Sequence, residues 1–83
     1  MYELKNYAAA ILIYQTIVEI EPKDALGWYD LACCYALQGN SEPAIANLKK
    51  AIELEPDRFK NQARTDADFS SLGEHQAFKQ LII

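Results

Sequence analysis

Several things are scarce in this sequence, and each scarcity excludes something. The 83 residues hold only three glycines and three prolines, which leaves few turns and room for little except regular structure. The two cysteines, Cys33 and Cys34, are adjacent, whereas a disulfide framework needs spaced pairs that close loops. They read as two small thiols on a helix in a reducing compartment, and a redox pair there would strain a regular helix. The one histidine, His75, has no second His or Cys nearby to complete a metal-ligand set, so no metal is expected. Ser70 and Ser71 lack a base and an orienting partner, and no glycine-rich phosphate loop exists. Asp66, Asp68 and Glu74 lack the glycine and spacing of a calcium loop.

Positive charge is also in short supply. Eight basic residues against twelve acidic ones give a net charge of −4, so the footprint of a nucleic-acid binder is missing. Long apolar runs are absent: Tyr7 to Tyr14 is the most apolar stretch, well short of the roughly twenty residues a membrane helix needs. Its small residues, Ala8 to Ala10, begin the run rather than follow it, unlike a signal peptide. A chain this short buries only roughly 60–65% of its unfolded surface, a thin core for an enzyme pocket. With 51% hydrophobic and 24% charged residues, the expectation is one soluble, non-catalytic domain, cytoplasmic and without a cofactor.

What is present is self-similarity. Glu19-Ile20-Glu21-Pro22 returns as Glu53-Leu54-Glu55-Pro56, thirty-four residues later. At that offset Asn6 falls on Asn40, Ala10 on Ala44, Ile11 on Ile45, Tyr14 on Leu48 and Val18 on Ile52. Small residues stay small and apolar residues stay apolar, as a tandem of helical hairpins requires.

Within each unit the periodicity is helical. Leu26, Tyr29, Cys33 and Leu37 form one stripe, and Trp28, Leu31, Ala32 and Tyr35 a second beside it. Apolar residues over most of a helix's circumference imply neighbours on two sides. Gly39-Asn40 supplies a stop, Ser41 reads as the next N-cap, and Pro43 sits in the first turn where no bond is lost. Ala44, Ile45, Leu48, Ala51 and Ile52 mark one face of the following helix, which Pro56 ends. An earlier helix is expected from about Leu4 to Ile20. A short one should run from about Asp57 to Asp66, a loop over 68–73, and a last helix from Glu74 to Leu81.

The order Trp28, Leu31, Ala32, Tyr35, Ala44, Leu48, Ala51, Pro56 resembles the tetratricopeptide repeat, with Ala32 in place of the usual Gly and Leu48 in place of Phe. The resemblance implies an all-α solenoid of helix-turn-helix units with about five helices. Residues 1–24 would be the second helix of an incomplete repeat, 25–58 a complete repeat, and 59–83 capping helices. Ala67-Asp68-Phe69, Leu72, Phe78 and Leu81-Ile82 resemble a closing segment that covers the last hairpin. Met1 would then fall in mid-repeat, which fits either the C-terminal piece of a longer array or a minimal protein.

By the same resemblance, function lies in an interaction surface. First helices of successive hairpins line a groove for a partner's peptide or helix. Here they imply Leu26, Tyr29, Asp30, Cys33, Ala36 and Leu37, joined by Lys60 and Arg64, with Tyr29 the foremost contact. One subclass clamps a partner's C-terminal carboxylate with basic and Asn side chains. Asp30 stands where an Asn would be wanted, which speaks against that ligand and for an ion pair of Asp30 with Arg64 or Lys60. The partner class is therefore another protein, with neither nucleic acid nor membrane insertion. The alternative is a capping or self-associating end of a longer array, through an N-terminal face of Tyr7, Ile11, Ile13, Tyr14 and Ile17.

Overall fold

The computed structural model describes residues 6–83. Asn6 opens helix α1 (Tyr7–Ile20), its side chain accepting a hydrogen bond from the Ala9 N–H at 3.1 Å. The expected start at Leu4 lies outside the described residues. Glu21 closes the helix through its own N–H to the Ile17 carbonyl, and Pro22 prevents continuation.

Asp24 caps α2 (Ala25–Gln38) through the Leu26 N–H at 3.2 Å. Gly39 ends it at φ 83°, where its N–H reaches the Ala36 carbonyl and the Asn40 N–H reaches that of Tyr35. This pair of bonds is a Schellman motif, and the left-handed φ is why glycine stands there.

Helix α3 (Ser41–Leu54) corrects one expectation. Its cap position is Asn40, whose side chain makes no capping bond and instead donates to Gln38 at 2.9 Å; Ser41 is already inside the helix. Glu55 then serves both as the end of α3 and as the cap of α4 (Pro56–Thr65), so Pro56 begins a helix as well as ending one.

The expected loop over 68–73 is instead a 3₁₀ helix (Ala67–Leu72), whose first turn Asp66 caps by accepting from the Asp68 N–H at 3.0 Å. A last short helix, α5 (Gln76–Leu81), starts two residues later than expected. Arg64 ties this end down, donating to the Ile82 carbonyl at 2.8 Å.

Five α-helices and one 3₁₀ helix, with no strand among the described residues, make an all-α tetratricopeptide-like repeat fold. Helix α2 is its axis, with a hydrophobic cluster on each side. On one side Tyr29, Ala32, Cys33 and Ala36 meet Ala44, Leu48, Ala51 and Ile52 of α3, Phe59 and Ala63 of α4, and Phe69, Leu72 and Phe78 beyond. On the other, Leu31 and Cys34 meet Ile11 and Val18 of α1. Trp28 and Tyr35 touch both clusters. Ala32, Ala44 and Ala51 are fully buried, because only a methyl group fits where the helices draw close.

A second close approach uses Gly27. A Cβ there would stand 3.2 Å from Ile17 Cγ2 and Val18 Cγ1, both methyls of stiff β-branched chains. Gly27→Leu should push α1 off α2 and lower stability by about 1–3 kcal/mol, read from urea denaturation. A wild-type midpoint in that variant would contradict this helix contact.

Rings carry the core from the repeat into the cap. Tyr29 stacks on Phe59 with centroids 4.7 Å apart and meets Phe69 edge-on at 5.6 Å; Phe69 lies 5.7 Å from Phe78. The segment after α4 thus packs Phe69, Leu72 and Phe78 onto the core of the hairpin.

Candidate functional site

A groove of about 340 Å³ opens between α1, α2 and the α4–3₁₀ junction. Asn6, Tyr7, Ala10 and Tyr14 of the α1 side form one wall. Tyr29, Asp30, Cys33, Cys34 and Leu37 of α2 form the floor, and Gln62, Asp66 and Asp68 the far wall. A second hollow of about 370 Å³, lined by Ile45, Lys49, Ala77, Gln80 and Leu81, is flatter and more open to solvent.

The expected groove residues divide. Asp30, Cys33 and Leu37 line the groove, and Leu37 offers 40% of its surface to solvent. Leu26 is as exposed but lies off the lining, and Ala36 is buried in the core. Tyr29 is only 2% exposed: its ring belongs to the core, and only part of it reaches the groove. Its hydroxyl donates to Asp66 Oδ2 at 2.6 Å, so its rigidity serves folding first.

Lys60 and Arg64 do not line the groove. On α4 the buried stripe is Phe59 and Ala63; Lys60 and Arg64 fall to one side of it, Gln62 and Asp66 to the other. The groove receives the second pair. Arg64 is engaged by the Ile82 carbonyl and by Asn61 Oδ1 at 2.7 Å. The expected pairing of Asp30 with Arg64 or Lys60 is not formed.

The self-association face is redistributed too. Ile11 is buried against α2, while Tyr7 and Tyr14 line the groove. Of that face Ile13 stands out in solvent at 61%, joined by Leu12 at 66% and Ile20 at 70%.

The site's electrostatics are one-sided. Burial pushes the Asp30 carboxyl above the usual carboxylate range, and neighbouring Asp24 pushes the same way; Arg58 only partly offsets them. Asp68 is raised by burial and then by Asp66, with a hydrogen bond from the Cys33 thiol opposing. Both thiols are raised, Cys33 by burial and then by Asp66 and Asp68, and Cys34 by burial and then by Asp30. They therefore stay protonated, whereas thiol chemistry runs through the thiolate. Neither forms a disulfide.

Ligand atoms of Cys33, Asp66 and Asp68 lie within 4.8 Å of one another, a spacing that could hold a metal ion. Two carboxylate lone pairs of this set are already engaged, since Asp66 accepts from Tyr29 and from the Asp68 N–H.

A carboxyl group whose pKa is higher in the fold than in the open chain binds protons more readily when folded. Stability should then fall as pH rises through the window above about pH 3.9. Asp30→Asn removes that charge, and is expected to raise the melting temperature at pH 7, by at most about 1 kcal/mol of stability. Near pH 3 the gain should vanish. Thermal melts at the two pH values check this; a variant less stable at pH 7 would contradict it. The raised thiols and the Tyr29 phenol, itself raised by burial and its bond to Asp66, predict a second decline above about pH 8.5.

Compared with known proteins, residues 25–58 match the tetratricopeptide repeat family. The chain is 31% identical over 67 residues to the Hsp70-Hsp90 organizing protein of Triticum aestivum, an alignment covering 81% of this chain and 12% of that relative. No solved structure matches. Among the described residues no helix is long and apolar enough to cross a membrane.

Proposed function

We propose that the chain, whose residues 25–58 match the tetratricopeptide repeat family, is a non-catalytic interaction module that binds a peptide or helix of a partner protein in the α1–α2–α4 groove. The single observation that carries this is the groove itself. Three helices converge on a hollow with an apolar floor and a polar far wall, the composition of a recognition site. The organizing protein that the chain resembles is named for bringing other proteins together, which points the same way. The free, adjacent thiols suit a reducing compartment, and we place the protein in the cytoplasm.

Leu37 is the side chain on which to test it. It lines the groove, is well exposed, and can be changed without opening the core. Random 16-residue peptides displayed on phage should yield binders to the wild-type chain that Leu37→Gln weakens about tenfold or more while its thermal melt is unchanged. Binders indifferent to Leu37 would place recognition elsewhere. Tyr29→Ala is unsuitable for this purpose, since it would remove a core ring.

A second reading is a self-associating or capping end. The exposed apolar residues Leu12, Ile13 and Ile20 favour it. Sedimentation should then detect a dimer that Ile13→Asp dissolves; a monomer at micromolar concentration would oppose it.

A further inference from the structure

Every charged side chain that lines the groove is acidic: Asp30, Asp66 and Asp68, with no Lys, Arg or His among the described lining residues. Asp66 is engaged by Tyr29 and the Asp68 N–H. Asp30 is half-buried and forms no hydrogen bond or ion pair with another described residue. Two of the three cations on α4 are engaged elsewhere. Arg58 pairs with Glu55 at 3.5 Å and lies over the Phe59 ring, and Arg64 holds the Ile82 carbonyl. Like charges gathered in a partly desolvated hollow with no cation among its described lining residues repel one another, and an entering cation relieves that repulsion.

The repeat says what form the rest of the occupant takes. Ala10 and Tyr14 stand thirty-four residues before Ala44 and Leu48. Those two are fully buried, in the core where α2 and α3 meet. Their counterparts on α1 are only half-buried and line the groove. In the second unit these positions pack against a helix; in the first they line the groove.

We infer that the groove takes an α-helical segment of a partner protein that directs a lysine or arginine toward Asp30 and Asp68 and lays small apolar residues along Ala10 and Tyr14. This rests on the groove reading above and adds the charge of the ligand. It excludes a partner that presents a free carboxylate or an acidic stretch to this site, since either would meet three aspartates.

The same phage-displayed library of random 16-residue peptides tests it. Binders that depend on Leu37 should carry at least one Lys or Arg. Changing that residue to Glu should weaken binding by about tenfold or more, measured by fluorescence anisotropy. Asp30→Asn with Asp68→Asn should remove about the same factor for the Lys peptide, with a thermal melt no lower than wild type. Raising salt from about 50 to 500 mM should weaken the wild-type complex and hardly touch the double variant. Leu37-dependent binders that are acidic or uncharged, or that ignore the double variant, overturn the inference and leave the groove reading standing. Failure to select any Leu37-dependent binder overturns both. A chain that sediments as a dimer, and that the double variant turns into monomers, would make the occupant a second copy and would equally overturn it.

Discussion

Phe59→Ala is expected to cost about 3–5 kcal/mol and to leave most of the chain unfolded at 37 °C. The ring is fully buried, stacked on Tyr29 at 4.7 Å, and stands where α4 meets the repeat. Removing it leaves a cavity that the surroundings cannot close. Tyr29 is pinned on its far side by Phe69, and the alanines of α3 are already at contact distance. In a domain this small, the loss is comparable to the whole stability. Phe59→Leu keeps most of the volume and should lose less than about 1.5 kcal/mol. Urea denaturation followed by circular dichroism measures both. A Phe59→Ala chain within about 1 kcal/mol of wild type would mean that the cap does not depend on this stack.

Asp66→Ala is the second large effect, at about 2–3 kcal/mol. One carboxylate does two things there. Its Oδ1 caps the 3₁₀ helix through the Asp68 N–H, worth about 1 kcal/mol, and its Oδ2 accepts from the Tyr29 hydroxyl at 2.6 Å. A hydrogen bond to a charged group contributes about 1.5–3 kcal/mol, and the mouth of the groove lets water recover part of that. Tyr29→Phe removes only the second bond. In that background Asp66→Ala should cost only the cap, so a double-mutant cycle should report a coupling of about 1–2 kcal/mol. Asp66→Asn can keep the cap through its Oδ1 but sets an Nδ2 donor opposite Tyr29, whose hydroxyl must then accept, so its loss should lie between wild type and Ala. Additive losses, with no coupling, would contradict the bond.

These two positions also show how far the bare sequence could be read. The thirty-four-residue recurrence marks where helices repeat, because each unit must present the same small and apolar residues to the same neighbour. Helices α1 and α3 follow from it, and α2 from its own apolar periodicity, within a few residues. The recurrence stops at α4. With no further unit to align, only the family resemblance points Lys60 and Arg64 toward the groove. Only the packing of Phe59 and Ala63 reveals that Gln62 and Asp66 face it instead.

Tyr29 is ambiguous in the sequence for a related reason. An aromatic on a first helix reads equally as contact or core, and its fate depended on Phe59 and Phe69, residues from a segment without a pattern. The 3₁₀ helix was hidden because Ser70-Ser71 and Gly73 suggest a turn, while Phe69 and Leu72 bury only when the whole cap folds. Gly27 carried no signal, since close approach by Ile17 and Val18 belongs to the tertiary structure alone.

The groove is the proposed place where a partner protein binds. Amide chemical-shift mapping of the labelled chain, titrated with a library-selected peptide, tests this most directly. The prediction is perturbation concentrated at Tyr7, Ala10, Asp30, Cys34, Leu37 and Gln62. Shifts confined to Ile45, Lys49, Ala77 and Gln80, or to Leu12, Ile13 and Ile20, would contradict it.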